Sequence, residues 1–140
     1  RVLVATDLSP LGNRAARFAF GMLPAGSRVR LVTVQPPRQA VPALVQSAAA
    51  DALLEQWRHE LQALVPAESA ARGLSVEIDV IEAEDPAEAI RAAAERIDAD
   101  LVCMGTTGRT GLSAALLGSV AQAVLRSCRR PVMLVPARDD

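Results

Sequence analysis

The segment LVCMGTTGRTG at residues 101–111 joins an uncharged apolar run, Leu101–Met104, directly to a loop that contains three glycines in seven residues. A strand without a charged position is typical of the centre of a parallel sheet, where helices cover both faces. Val2–Ala5, near the start of the chain, is a second run of this kind. The two segments therefore predict two central strands, one of which leads into a glycine-rich loop.

Short apolar runs alternate along the chain with longer segments of helical period, a pattern that indicates a parallel sheet with crossover helices. The run Val76–Val80 alternates strictly between apolar and acidic residues, which is typical of an edge strand with one face in water. With right-handed crossovers, these features favour the strand order 3-2-1-4-5. We therefore expect an α/β, Rossmann-like fold: a single three-layer domain over residues 1–140, with a five-stranded parallel sheet and helices on both faces. The predicted strands are Val2–Thr6, Arg28–Val34, Ser75–Ile81, Leu101–Met104 and Pro131–Val135.

Local motifs predict where three helices begin. Ser9-Pro10 and Asp85-Pro86 each place a capping side chain before a proline at the first helical position. Ser119, with Gln122 three residues later, has the pattern of a capping box, which predicts that the last helix begins at Ser119. The residues expected to line the apolar face of the first helix are Leu11, Ala15, Phe18 and Met22.

The composition excludes several classes of function. All fifteen basic residues are arginine, and the 140-residue chain has one histidine and no lysine. Sites that require a lysine, such as Walker-A loops and Schiff-base centres, are therefore excluded, as are metal sites with several histidine ligands. A net charge of −1 argues against a nucleic-acid partner. No run approaches the ~18 apolar residues that cross a bilayer, so no membrane partner is expected. Cys103 and Cys128 lack the CxxC spacing and suit reduced thiols in the cytoplasm.

The predicted strand order places a crevice at the carboxyl ends of strands one and four, where the chain reverses direction. The glycines Gly105 and Gly108 allow backbone N–H groups to converge on an anion, and Gly118-Ser119 lies at the positive end of the last helix. These residues fit a phosphate site. They also fit a glycine-rich loop that is closed by an ordinary helix cap.

Two further residues end strands at the same crevice. Asp7 follows strand one and is able to accept hydrogen bonds from ribose hydroxyls or hold a metal near phosphates, but also to support the start of the first helix. Val34 ends strand two and has a backbone N–H and C=O that match the edge of an adenine, although a valine is an ordinary residue for a strand end. The residues alone leave both alternatives open.

The spacing Gly105-x2-Gly108-x9-Gly118-Ser119 matches the G-2x-G-9x-G-[S/T] nucleotide motif of the universal stress protein family. The opening VLVATDLSP and the ending PVMLVP are similar to the first and last strands of that family. The resemblance extends over the whole chain, and it places the sequence with the members that retain the nucleotide motif.

The resemblance implies an ATP-binding α/β fold, with Asp7 and Val34 at the ribose and adenine. Gly105, Gly108, Gly118 and Ser119 would hold the phosphates, with Mg²⁺ bridging them. Arg109 fills a motif gap where the family is often basic, and its guanidinium is long enough to reach a phosphate. The resemblance also implies a homodimer that forms through the last strand, Val132–Val135. That strand is an uncharged sheet edge, which either a partner chain or a loop of the same chain would have to cover.

These features favour an ATP-binding regulatory module of the stress response, in which nucleotide occupancy changes conformation, dimerisation or partner binding. No residue is assigned as catalytic or as a protein ligand of a metal, because Asp7 is the only carboxylate near the predicted phosphate site. ATP hydrolysis is therefore expected to be slow at most. The alternatives are a nucleotide-free dimeric interaction domain and, less favoured, a true nucleotide hydrolase.

Overall fold

The computed structural model describes residues 1–37, 43–107 and 116–137. Strands and helices alternate along these residues, which confirms the predicted α/β organisation. The elements are β1 (Val2–Ala5), α1 (Pro10–Met22), β2 (Arg28–Gln35), α2 (Ala43–Leu64), β3 (Ser75–Glu82), α3 (Pro86–Arg96), β4 (Leu101–Gly105), α4 (Ser119–Ser127) and β5 (Val132–Val135).

The five strands form one parallel sheet in the order β3-β2-β1-β4-β5, as the sequence predicts. In the central strand β1, Val4 lies beside Leu31 of β2 and Cys103 of β4. Strand β5 begins at Val132 rather than at Pro131, because proline has no N–H to contribute to the ladder. The Pro131 carbonyl still accepts a hydrogen bond of 2.9 Å from the N–H of Val102.

Each face of the sheet carries its own apolar core. Because side chains alternate along a strand, Val2 and Val4 of β1 face the core formed with α1 and α2, whereas Leu3 and Ala5 face the core formed with α3 and α4. Leu3 and Val4 are both fully buried, which is why this strand contains no polar residue. The two-sided burial confirms the predicted central position of β1.

The predicted apolar face of α1 is confirmed at Ala15, which is buried, but is wrong at Phe18 and Met22. Phe18 and Met22 are 51% and 57% exposed, so they lie on the outer side of the helix. The helix instead faces the sheet with mostly small side chains, and a Cβ added at Gly105 of β4 would lie only 3.6 Å from the Cβ of Ala15. This close approach of helix and strand favours a small side chain at Ala15. The buried residues of α1 are Gly12, Ala15, Ala16, Ala19 and Phe20.

Arg72, in the connection between α2 and β3, fixes the end of α1. Its Nη1 donates a hydrogen bond of 2.8 Å to the carbonyl of Phe20, and its Nη2 donates one of 2.5 Å to the carbonyl of Leu23. The last carbonyls of a helix have no partner within the helix, and a cationic donor also complements the helix dipole. The guanidinium therefore acts as a long-range cap.

Among the residues that the structure describes, no helix combines the length and apolar character needed to cross a lipid bilayer. The longest helix, α2, has 22 residues and carries charged side chains along its exposed side.

Candidate functional site

A crevice of about 310 Å³ opens beyond the carboxyl ends of β1 and β4, where the strand order reverses. Its volume lies at the lower end of the range of ~300–1,000 Å³ that is usual for small-molecule sites. Gly108 and Arg109 lie outside the described residues. The other five residues predicted for the site all line this crevice: Asp7, Val34, Gly105, Gly118 and Ser119.

Asp7 both faces the crevice and supports the start of α1. Its Oδ1 accepts a hydrogen bond of 3.0 Å from the N–H of Ser9 and a second, short one from the Ser9 hydroxyl. The Ser9 oxygen in turn accepts a hydrogen bond of 3.1 Å from the N–H of Gly12, which makes Ser9 the expected helix cap. The two roles that the sequence left as alternatives for Asp7 are therefore compatible in one geometry.

The turn between β1 and α1 holds Asp7 in place through a strained residue. Leu8 has a φ of 64°, in the left-handed region that costs non-glycine residues about 1–2 kcal/mol. Its N–H donates to the hydroxyl of Thr6 at 3.1 Å, and the Thr6 hydroxyl donates to Asn13 at 2.9 Å. Backbone strain of this kind often occurs beside binding sites, where the surrounding structure enforces a functional conformation.

Gly12 lines the crevice and was missed in the sequence. A Cβ at this position would lie 2.5 Å from Oδ1 of Asp7 and 2.8 Å from Oγ1 of Thr6. The third position of α1 must therefore be glycine if the carboxylate of Asp7 is to stay where it is. The available signal was a glycine inside a helical segment, where it is otherwise unfavourable.

The backbone of Val34 faces the crevice because of strand alternation. The carbonyl of Val32 accepts from the N–H of Thr6 on the β1 side, whereas the carbonyl of Gln35 accepts from Ala83 on the β3 side. The N–H and C=O of Val34 therefore point to the same side as those of Val32, where β1 has already ended. Pro36 and the α3 residues Pro86 and Ile90 also line this part of the crevice, and none of the three was predicted.

The opposite part of the crevice lies at the start of α4. The N–H of Gly118 donates a hydrogen bond of 2.7 Å to the carbonyl of Thr106, which joins the end of β4 to the first turn of the helix. A Cβ on Gly118 would lie 3.1 Å from that carbonyl, closer than most real contacts. The first amides of α4, which have no partner within the helix, therefore lie beside the crevice. They form the positive end of the helix dipole.

The helix α4 begins at Ser119, as predicted, but the predicted capping box is wrong. Gly118 is the N-cap, and it has no side chain to cap with. The side chain of Gln122 donates to the carbonyl of Leu117 at 2.8 Å instead of closing a box with Ser119. Ser119 is the first helical residue, is exposed and lines the crevice, so its hydroxyl lies beside the first amides of the helix.

Two threonines at the exit of β4 are also part of the crevice and were not predicted. Thr106 and Thr107 are both buried, and neither hydroxyl has a hydrogen-bond partner among the described residues. Their sequence signal was weak, because threonine is common both in strands and in loops.

The described residues of the crevice wall are mostly apolar or uncharged. Within the described ranges, Asp7 is the one charged side chain that lines it. The same residues contain no group of three or more His, Cys, Asp or Glu side chains that could hold a metal ion. In the neighbouring strand, burial raises the pKa of the Cys103 thiol to about 11, so this thiol stays protonated and is a poor nucleophile.

Comparisons with known proteins show the family and the fold. The model of the universal stress protein family matches residues 1–136. Universal stress protein MJ0531 of Methanocaldococcus jannaschii is 44% identical over 63 residues, which are 45% of this chain and 36% of that protein. Universal stress protein E homolog of Haemophilus influenzae is 58% identical over 57 residues, which are 39% of this chain and 18% of that protein. The chain therefore matches about a third or less of these curated relatives.

Among solved structures, a universal stress protein family member from Burkholderia pseudomallei is 30% identical, with a TM-score of 0.69, over 97% of this chain and 95% of that one. Hypothetical protein MJ0577 of Methanocaldococcus jannaschii has a TM-score of 0.82 at 24% identity, over 99% of this chain and 96% of that one. These two likenesses extend over almost all of both chains, which confirms the fold.

Three similar structures contain adenine nucleotides. A universal stress protein in complex with cAMP has a TM-score of 0.63 at 24% identity, over 96% of this chain and 94% of that one. A family member from Arabidopsis thaliana with AMP bound has a TM-score of 0.62 at 20% identity, over 96% and 89%. The Archaeoglobus fulgidus protein with dAMP has a TM-score of 0.57 at 22% identity, over 95% and 94%. At these identities, the likeness to this chain is one of fold.

Proposed function

Because the chain belongs to the universal stress protein family, we propose that its crevice binds an adenine nucleotide and that occupancy regulates the protein. The observation that carries this proposal is the meeting of Asp7, Val34, Gly118 and Ser119 around one cavity at the reversal of strand order. Such a reversal is the usual ligand position in open parallel sheets. Similar structures with AMP, dAMP and cAMP support the choice of adenine.

The proposed orientation of the nucleotide follows from the two ends of the crevice. The backbone N–H and C=O of Val34, which face beyond the end of β1, match the acceptor and donor on the edge of adenine. Apolar side chains from Pro86 and Ile90 flank this end and suit a flat base. Asp7, at the end of β1 between the base end and α4, would accept hydrogen bonds from the ribose hydroxyls.

The phosphates would lie at the start of α4, among donors that favour an anion. The first-turn amides and the helix dipole provide positive potential, and the hydroxyl of Ser119 adds one hydrogen bond. Gly105 also lines the crevice, and Gly108 and Arg109 complete the proposed set from outside the described residues. We propose ATP as the physiological ligand, with the phosphates carrying Mg²⁺.

The residues that line the crevice would hold Mg²⁺ only together with the nucleotide phosphates. Mg²⁺ usually keeps several water ligands and takes one or two carboxylates together with phosphate oxygens. Asp7 and the Ser119 hydroxyl are oxygen donors of the right chemical type, and no dedicated carboxylate cage exists among the described residues. Bound Mg²⁺ would neutralise part of the phosphate charge.

Hydrolysis is proposed to be slow at most. Phosphoryl transfer needs a positioned water and stabilised charge in addition to a phosphate site. Asp7 is the only carboxylate among the described residues of the crevice, and its Oδ1 already accepts two hydrogen bonds from Ser9. The proposal is therefore a nucleotide-responsive regulator rather than an efficient hydrolase.

We further propose that the protein forms a homodimer through β5. The carbonyls of Pro131 and Val135 accept hydrogen bonds from the β4 side, so alternation directs the backbone groups of Val132 and Leu134 away from the sheet. This outer edge is uncharged and lies at the end of the strand order, where a second copy is able to add its own strand. Cytoplasmic location is part of the proposal, since both cysteines are free thiols.

The same edge favours a second candidate function, a dimeric interaction domain that binds no nucleotide. Phe18 and Met22 on α1 and Leu125 on α4 are large apolar side chains that are about half exposed, so the protein has apolar surface available for contacts. This alternative does not need the crevice to be occupied.

Calorimetry of nucleotide-free protein with AMP, ATP and ATP plus Mg²⁺ distinguishes the two functions. We expect one adenine nucleotide per chain and tighter ATP binding with Mg²⁺. Ser119→Ala should weaken AMP binding at least tenfold, since hydrogen bonds to charged groups contribute ~1.5–3 kcal/mol. Ser127→Ala is the matched control, because Ser127 lies at the far end of the same helix and bonds only to Ala123 among the described residues.

A failure of every adenine nucleotide to bind would refute the nucleotide proposal. If dimers persisted under those conditions, the interaction domain would be the better interpretation. Rapid multiple turnover of ATP, lost in Asp7→Asn, would instead support a hydrolase.

A further inference from the structure

The side chain of Asn13 on α1 joins a ring of hydrogen bonds around the turn that follows β1. Its Oδ1 accepts a hydrogen bond of 2.9 Å from the hydroxyl of Thr6, and its Nδ2 donates one of 3.4 Å to the carbonyl of Leu8. The Thr6 hydroxyl in turn accepts a hydrogen bond of 3.1 Å from the N–H of Leu8. The three residues therefore form a closed ring, and Asn13 is the member that comes from the helix.

The ring fixes a backbone conformation that leucine rarely adopts. Leu8 has a φ of 64°, which glycine takes without strain and which a residue with a Cβ keeps only where its surroundings enforce it. The ring holds Leu8 from both sides, because Thr6 binds its N–H and Asn13 binds its carbonyl. A leucine at this position therefore depends on the ring in a way that a glycine would not.

Both partners of Leu8 are themselves anchored. The N–H of Thr6 donates to the carbonyl of Val32 at 3.0 Å, which ties Thr6 to the sheet. The N–H of Asn13 donates to the carbonyl of Ser9 at 2.8 Å, which ties Asn13 to α1. Thr6 is also buried, so water is a poor replacement for its partners. The ring therefore joins the sheet to the helix across the strained residue.

Asp7 lies inside this ring, between Thr6 and Leu8 in the chain. Its carboxylate lines the crevice, whereas Asn13 does not. Oδ1 of Asp7 accepts a hydrogen bond from the N–H of Ser9, the residue directly after Leu8. A change of φ at Leu8 would move that N–H relative to the carboxylate. The direction of the Asp7 carboxylate therefore depends on the conformation that Asn13 helps to hold.

We propose that Asn13 is a positioning residue of the nucleotide site, which holds the turn so that the Asp7 carboxylate faces the ribose hydroxyls. The inference rests on the proposed nucleotide function and deepens it, because it names a residue outside the crevice that controls ribose recognition. Asn13 itself touches no part of the nucleotide. Its loss should change the discrimination between nucleotides with and without ribose hydroxyls, whereas the loss of a residue that only stabilises the fold would leave this discrimination unchanged.

The binding test uses two variants that break the ring at different members. Asn13→Leu keeps the branched shape of the side chain without its polar atoms, and leucine is also the better helix former. Thr6→Val removes the hydroxyl. Calorimetry compares AMP with its 2′,3′-dideoxy analogue: the wild type should prefer AMP by about tenfold or more, and each variant should reduce this preference to about threefold or less. The affinity for the dideoxy analogue should stay within about twofold of that of the wild type.

Two further variants are the matched controls. Thr6→Ser keeps the hydroxyl of the ring and should retain the preference for AMP within about twofold. Arg17 is an exposed residue one turn further along α1, and it makes no hydrogen bond or ion pair within the described part of the chain. Arg17→Ala should therefore leave both affinities unchanged.

Hydrogen exchange of the ligand-free protein tests the ring without any nucleotide. The N–H of Leu8 donates to Thr6 and the N–H of Ser9 donates to Asp7, so both amides report on the turn. Both should exchange about tenfold faster in Asn13→Leu than in the wild type, because the turn opens more often when the ring is broken.

Three results would overturn the role of Asn13 while leaving the nucleotide site intact. The first is an unchanged preference for AMP in both Asn13→Leu and Thr6→Val. The second is an equal loss of affinity for AMP and its dideoxy analogue, which would indicate a packing effect. The third is unchanged exchange of the Leu8 and Ser9 amides in Asn13→Leu. A wild type that binds no adenine nucleotide would instead refute the proposed function, and the role of Asn13 would fail with it.

Discussion

The substitution Gly12→Ala tests how the candidate site positions its carboxylate. A Cβ at residue 12 would lie 2.5 Å from Oδ1 of Asp7, the atom that accepts both hydrogen bonds from Ser9. The added carbon would also lie 2.8 Å from Oγ1 of Thr6 and 3.2 Å from the backbone nitrogen of Asp7, so we expect the carboxylate and the Thr6 hydroxyl to move while α1 remains folded. The matched control is Gly21→Ala in the same helix, where no described atom other than the adjacent residues and the nearby helix backbone lies within 4 Å of the added carbon.

The expected magnitudes differ sharply between the two variants. Replacing glycine by alanine inside a helix stabilises a protein by about 0.5–1 kcal/mol, and Gly21→Ala, one residue before the end of α1, should show a gain up to this size. At Gly12 the gain is offset by weakened hydrogen bonds between Ser9 and Asp7, which are worth ~1.5–3 kcal/mol as bonds to a charged group. The free energy of unfolding of Gly12→Ala should therefore be about 1–3 kcal/mol below that of Gly21→Ala, as measured by urea denaturation.

The binding assay compares AMP with its 2′,3′-dideoxy analogue, which lacks the ribose hydroxyls. If Asp7 binds the ribose, the wild type should prefer AMP by about tenfold or more, and Gly12→Ala should lose most of that preference. Gly21→Ala should keep it. An unchanged preference in Gly12→Ala, or an equal loss of affinity for both ligands, would refute the proposed contact between Asp7 and the ribose.

Three other predictions concern the fold, its pH dependence and its edge. Arg72→Met removes two hydrogen bonds to carbonyls at the end of α1. The free energy of unfolding, measured by urea denaturation, should fall by about 2–3 kcal/mol. A loss below about 0.5 kcal/mol would exclude a capping role. The hydrogen bond from Arg91 lowers the pKa of Glu88 below its usual 4.5. The pair therefore contributes stability above about pH 4.5 and loses it as the pH falls through the lowered pKa. The difference in urea midpoint between wild type and Glu88→Gln should shrink in acid, and a constant difference would contradict this prediction. Val132→Pro removes an N–H that points outward from β5 but leaves the hydrogen bonds between β5 and β4 intact. Sedimentation should therefore show weaker dimerisation with the fold retained. An undiminished dimer would place the interface elsewhere.

The sequence by itself determined the order of the sheet and the position of the crevice. Val2–Ala5 and Leu101–Met104 contain no charged residue because both faces of these strands are covered, so their pattern identified the centre of the sheet. The helix starts after Ser9 and Asp85 were equally predictable, since a capping side chain and its amide are only three residues apart. Patterns of this kind are local and depend on burial or on short-range hydrogen bonds.

The tertiary structure alone decided which residues of distant segments meet. The exposure of Phe18 follows from the close approach of α1 to β4, which turns the small residues of the helix, rather than Phe18 and Met22, toward the sheet. The contact of Gly12 with Asp7 depends on the strained turn that precedes the helix. The burial of the Thr106 hydroxyl depends on bonds to Val135 and Gly118, which come from later parts of the chain. Such contacts are set by the packing of segments on one sheet, and their distances become defined only when the chain has folded.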